Sequence, residues 1–119
     1  MNTFRFRQFP VYKEAKLLHR NIILILSNIN DRSLHDQIRR SSLSVVLSIA
    51  EGSAKRSDRD FARYLQISLG SINELVACLE IAYENSNISQ ETFKRLENNC
   101  EIIAKQLGGF VKKLLSSKS

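Results

Sequence analysis

The sequence predicts an all-α protein, an antiparallel up-down-up-down four-helix bundle that associates with copies of itself. Three observations carry this expectation. Apolar residues recur at alternating steps of three and four along four long segments, the spacing of one helix face. Helix breakers are scarce, with one proline and four glycines in 119 residues. The segment Gln37 to Gly52 is apolar on two roughly opposite sides, although a helix in a small bundle needs a single apolar stripe.

The first helix is expected near 10–29, where Val11, Ala15, Leu18, Ile22, Ile25 and Ile29 keep the period. Pro10 suits its first turn, in which a missing N–H costs nothing, and Asn28 to Asp31 end it. The second, near 33–53, is expected to be capped by Ser33 with Asp36 three residues on, and Gly52 lies near its end. Leu34, Ile38, Val45 and Ile49 form one stripe of this helix. Leu43, Val46, Leu47 and Ala50 form the other, which we expect to meet a neighbouring subunit.

Ser57 opens the third helix, near 57–85, with Asp58 and Asp60 placed well for the positive end of its dipole. Its main face reads Phe61, Leu65, Leu69, Ile72, Val76, Leu79 and Tyr83. Gly70-Ser71 in mid-helix costs about 1 kcal/mol against alanine, which points to a second helix crossing closely there. Ile67, Cys78 and Ile81 lie off the main face and hint at a second contact surface. Ser89 opens the fourth helix, near 89–115, whose Phe93, Leu96, Cys100, Ile103, Leu107, Phe110 and Leu114 keep the period. Gly108-Gly109 interrupts its chemistry but not its period, so a weak point or close packing is expected. Residues 1–119 thus form one domain with a short arm, 1–9, and a fraying tail, 116–119. Short connections make sequential helices antiparallel neighbours, and the three-four stepping favours shallow crossing.

Hydrophobic content of 43% and charged content of 25% are those of an ordinary globular chain. Charge placement says more. Residues 1–63 hold twelve Lys/Arg and six Asp/Glu, whereas residues 64–119 hold six of each, so the entire excess of +6 lies in the first half. One end or face should be positive, as on proteins that meet polyanions. Arg39, Arg40, Lys55, Arg56, Arg59 and Arg63 are the candidate nucleic-acid-binding residues. In a hairpin about the second connection, Lys55, Arg56 and Arg59 gather at one end, and Arg39 and Arg40 begin near the other. Tyr64 falls near the core edge. Phe4 and Phe6 alternate with Arg5 and Arg7 in an arm that either binds nucleic acid or packs on the bundle. The competing reading is a structural or protein-interaction scaffold with an incidental basic surface.

Nothing in the chain calls for catalysis, a cofactor or a metal. His19 and His35 lack a partner at a spacing that defines a triad or a metal site, and no glycine-rich phosphate loop is present. Glu51, at the end of an apolar helix, is expected to pair with Lys55, Arg56 or another helix. Cys78 and Cys100 are 22 residues apart without a CxxC pattern, and read as small buried side chains in a reducing compartment. The longest Ile/Leu run, Ile22 to Leu26, is far short of a membrane span. The N-terminus lacks a signal-peptide pattern. A cytoplasmic location without a membrane partner is expected.

Gln37-Ile38-Arg39-Arg40-Ser41, Ile49-Ala50-Glu51-Gly52, Arg56-Ser57-x-x-Asp60-Phe61 and Gly70-Ser71-x-x-Glu74-Leu75 together resemble the four-helix-bundle family of the 23S rRNA intervening-sequence proteins. The likeness runs from Phe6 to Leu115. Ser48 stands where the family usually has asparagine, and Ser68 where it has alanine. The resemblance implies a four-helix protomer that closes into a ring, typically a homopentamer, with no enzymatic activity and a link to ribosomal RNA. It also implies a distant similarity to accessory proteins of diversity-generating retroelements, basic barrels that bind nucleic acid.

Overall fold

Four α-helices form on the four periodic segments. In the computed structural model, which describes residues 3–116, they are α1 (Pro10–Ile25), α2 (Arg32–Ser53), α3 (Asp58–Glu84) and α4 (Gln90–Ser116). Short 3-10 helices, Arg5–Gln8 and Leu26–Asn28, precede and follow α1, and the described residues contain no strand. The first helical segment therefore ends in a tightened turn, as helix C-termini often do, and this leaves Ile25, Leu26 and Ile29 all buried.

The helix starts follow from side-chain acceptors that satisfy otherwise unpaired amides. Ser57 Oγ accepts from Asp60 N–H at 3.0 Å, and Ser89 Oγ accepts from Thr92 N–H at 3.1 Å. The expectation for α2 needs correction. Its cap is Asp31, whose Oδ1 accepts from Leu34 N–H at 3.0 Å, while Ser33 is exposed inside the first turn. Asp31 adds a negative charge where the helix dipole is positive.

α1 packs against α2 and α4, and α3 packs against the same two, so the helices surround a common core. Ala15, Leu18, Ile22, Ile38, Val45, Ile49, Leu65, Leu75, Leu79, Leu96, Ile103 and Leu107 are its closed interior. The bundle measures 48 × 25 × 21 Å. On α3 the buried row is Phe61, Leu65, Ser68, Ile72, Leu75, Leu79 and Ala82, whereas Leu69 and Val76 are half-buried. The row is thus turned from the expected one, because it runs through a serine that a hydrophobic count skips.

That serine helps to build the contact between α2 and α3. Ser68 Oγ donates to the Val45 carbonyl at 2.9 Å, and the hydroxyls of Ser44 and Ser71 lie 2.8 Å apart. Small side chains let the two backbones approach, and the hydroxyls meet polar partners as buried groups must. Gly52 is the glycine this packing requires. A Cβ there would lie 2.7 Å from Tyr64 Cβ and 3.0 Å from Phe61 Cδ1. Gly70, expected at a close crossing, has no neighbour within 4 Å of such a position, and neither do Gly108 and Gly109. The last two are neither closely packed nor a break, since α4 runs through them.

Cys78 and Cys100 are buried free thiols. Burial, with Glu97 nearby, pushes the Cys100 thiol up to about 12. By length and composition α3 could cross a membrane, with a window of mean hydropathy 1.3. The core helix of a soluble bundle has the same composition, and here α3 packs on both α2 and α4.

Candidate nucleic-acid interface

The turn between α2 and α3 gathers four of the six candidate cations. Close contact of Gly52 with Tyr64 brings the end of α2 onto the first turns of α3. Lys55 N–H donates to the Gly52 carbonyl at 3.1 Å, which turns the chain. The half-buried Lys55 then sets its ammonium 4.7 Å from the centre of the Tyr64 ring, and the Arg63 guanidinium lies 5.9 Å from the same ring. Arg56, Arg59 and Arg63 are exposed. Arg59 and Arg63 line an open depression with Asp60, Ala62, Gln66 and Leu115.

Arg39 and Arg40 are exposed as well, but elsewhere. Sixteen residues separate Arg39 from Lys55, about 24 Å along a helix that rises roughly 1.5 Å per residue. Four of the candidates thus belong to one cluster, and two stand apart.

The arm lies against the same end of the bundle. Arg5 donates from Nε and Nη2 to the Ser53 carbonyl at 3.3 and 3.1 Å, which satisfies a carbonyl at the end of α2. Its guanidinium lies 5.8 and 5.4 Å from the Phe9 and Phe61 rings. Those rings stack, and Phe110 meets both edge-on at 5.4 and 5.1 Å. Of the two roles expected for the arm, packing on the bundle is the one Arg5 performs. Arg7 sits over Phe4 at 5.1 Å and stays exposed.

Glu51 is exposed and has no ion pair among the described residues, so the expected partner, Lys55 or Arg56, is not one. Lys55 turns toward Tyr64 instead. Among the described residues no three His, Cys, Asp or Glu side chains gather in a metal-binding group.

His19 has a partner that linear spacing hides, since Ser42 is 23 residues away. The Ser42 hydroxyl donates to the Arg39 carbonyl at 3.1 Å, so its oxygen accepts from His19 Nδ1–H at 2.9 Å. That leaves Nε2 without a proton in the neutral ring. Burial, and then the Arg39 charge, lower the His19 pKa from 6.5. Lys16 and Arg20 line the same depression, along with Leu43 and Val46. The unfolded chain then takes up this proton before the folded one does, so stability rises with pH in the window below 6.5 and is lost as pH falls. The melting temperature is expected to drop on acidification through that window. The drop should be smaller in His19→Asn, whose amide can still donate to Ser42. Equal acid sensitivity in the two proteins would refute the assignment.

The second stripe of α2 divides. Val46 is 7% exposed and packs within the bundle, Leu43 and Ala50 are half-buried, and Leu47 is 54% exposed. On α3, Ile67 and Ile81 are exposed while Cys78 is buried. Leu17, Ile23 and Leu24 on α1 are exposed too. In the sequence, the continuous apolar run around them conceals which residues leave the core stripe.

These features define an all-α helical bundle with a cluster of cations around one interhelical turn. The chain belongs to the 23S rRNA-intervening sequence protein family, whose sequence model matches residues 7–109. A solved structure of a protein with unknown function from the S23 ribosomal protein family of Bacteroides thetaiotaomicron has the same fold, with a TM-score of 0.80. The two are 24% identical, over 86% of this chain and 98% of that one. No curated protein matches the chain.

Proposed function

We propose that the chain is a non-enzymatic, self-associating bundle that binds RNA, or another nucleic acid, electrostatically around the α2–α3 turn. Ribosomal RNA is the first ligand to try, given the family. The observation that carries this reading is the distribution of charge. Residues 3–16, 50–66 and 107–116, drawn together by the Arg5–Ser53 and Phe9–Phe61–Phe110 contacts, hold ten Lys/Arg and four Asp/Glu. The other described residues hold seven and eight. Such a bias attracts phosphate, and with RNA as the ligand the proposed location is the cytoplasm, without a membrane partner.

An up-down-up-down topology agrees with the pairs Ser44–Ser71 and Val45–Ser68 between α2 and α3. Tyr83–Phe93 and Phe61–Phe110 between α3 and α4 point the same way. In that topology Leu47 and Ile67 would lie side by side. With Leu43 and Ala50 they would form a face for a second copy, and the family resemblance favours closure into a homopentameric ring. Burying a Leu or Ile is worth about 1.5–3 kcal/mol, against roughly 4–15 kcal/mol for association, so α2 alone is too small and α3 must contribute. Light scattering should give an oligomer for the parent and a 13.6 kDa monomer for Leu47→Glu. A monomeric parent at micromolar concentration would end the assembly proposal.

RNA binding is tested by its response to salt. Contacts to four phosphates of a duplex release counterions, so log K should fall with log salt at a slope of about −3.6, a loss of roughly 150-fold between 50 and 200 mM. No binding at 50 mM salt would leave the exposed apolar rows as the functional surface, and the protein as an interaction scaffold.

A further inference from the structure

We infer that the ligand of the basic end is a nucleic-acid duplex held by its phosphates, not a single strand held by its bases. The inference rests on the nucleic-acid reading above and narrows it. Proteins that hold single strands pair a basic groove with aromatic faces on which bases stack, at about 1–3 kcal/mol per base. This end is rich in aromatic residues, yet its rings are engaged within the protein. Tyr64 has the Lys55 ammonium at 4.7 Å and the Arg63 guanidinium at 5.9 Å. Phe9, Phe61 and Phe110 pack on one another, with Arg5 over the first two. Phe6 meets Tyr12 edge-on at 4.9 Å, and Lys16 lies over Tyr12 at 5.0 Å. Phe4 is the most open ring, and the Arg7 guanidinium sits over it at 5.1 Å.

The cations that cover these rings direct charge, rather than π-surface, at a ligand. A ligand recognised by charge alone is favoured in proportion to its charge density. A duplex carries one charge per roughly 1.7 Å of axis against roughly 3.4 Å for a strand. The end of the bundle measures 25 × 21 Å across, so a duplex lying over it would bring about 12–15 phosphates within its span. Glu14, Glu51, Asp58 and Asp60 share the end with ten Lys/Arg, which leaves it six charges positive. Lys112 and Lys113 in the last turns of α4, and Arg7 in the arm, thereby join the α2–α3 turn as phosphate contacts.

Fluorescence anisotropy with an unstructured strand and with its duplex of equal length, in RNA and in DNA, tests this. The duplex should bind at least about tenfold more tightly than the strand, with a steeper salt slope. Phe4→Leu should leave both affinities unchanged. Equal affinity for RNA and DNA duplexes would support recognition of backbone charge, and a preference for the RNA duplex would support added contacts to 2′-hydroxyls. A strand that binds as tightly as the duplex, or a several-fold loss of strand binding in Phe4→Leu, would overturn the inference while leaving nucleic-acid binding in place. Failure of both forms to bind at 50 mM salt would overturn the two together.

Discussion

Glutamate in place of Lys55, Arg56, Arg59 and Arg63 together is expected to abolish RNA binding while the protein keeps its fold and its subunit number. The substitution changes the charge of one end by eight per chain, from an excess of six cations to a deficit of two. The four proposed phosphate contacts would become four repulsions, and affinity at 50 mM salt should drop by at least about 10³-fold. The cost to the fold is small. Arg56, Arg59 and Arg63 are exposed, and surface replacements of this kind usually stay within about 0.5 kcal/mol. Loss of the two cations over Tyr64 adds roughly 0.5–1 kcal/mol each. Filter binding, thermal melting and light scattering on the same preparation read the three quantities. Arg39→Glu with Arg40→Glu should weaken binding less, because those side chains lie far from the turn. Unchanged RNA affinity in the fourfold variant would remove the α2–α3 turn from the binding surface.

The largest effect on stability is expected at Gly52. Valine there would drive its Cβ against the Cβ of Tyr64 and the ring of Phe61, and neither can withdraw without moving α3. Overpacking of this kind costs about 1–3 kcal/mol, sometimes more, and only part is offset by the roughly 0.5 kcal/mol that a better helix former than glycine returns. A fall of about 4–10 °C in melting temperature follows. Gly70→Ala should do the opposite and gain about 0.5–1 kcal/mol, because a methyl group there meets open space. If Gly52→Val and Gly70→Ala melted alike, the close approach of α2 to α3 would be wrong.

The same pair of glycines shows how far the sequence could be read. Helix spans were legible because three-four periodicity and serine starts are local properties, and the error at the start of α2 is equally local. Asp31 and Ser33 are both short acceptors, and only the backbone decides which of them stands three residues before a free amide. Close approach is a property of two helices, so nothing in the sequence separates Gly52, which needs it, from Gly70, which does not. Ser71 was legible as part of a small-residue crossing, whereas Ser68 is missing from the expected core row because a hydrophobic count treats a hydroxyl as a gap, although both hydroxyls hold α2 to α3. His19 and Ser42 meet only once α1 lies on α2. For the candidate interface, charge identified the cations, but the separation of Arg39 and Arg40 from the other four came from helix length. That the aromatic rings are already covered could not be read from the chain at all.

The interhelical hydrogen bonds are unevenly shared, and this bears on motion. Arg5 ties the arm to α2, His19 ties α1 to α2, and two hydroxyl contacts tie α2 to α3. From Gln90 to Lys113, α4 has no side-chain hydrogen bond to another helix among the described residues, and its ion pairs, Lys94–Glu97 and Lys105–Glu101, lie within itself. Packing of Phe93, Leu96, Cys100, Ile103, Leu107 and Val111 therefore holds it in place. Apolar contact has no preferred direction, so it resists separation of the helices far better than it resists sliding along them. A hydroxyl held to a carbonyl at 2.9 Å resists both. Directional bonds thus tie α1, α2 and α3, whereas apolar packing holds the Gln90–Lys113 part of α4, on which Gly108 and Gly109 lie open to water. Local opening and amide exchange should begin there.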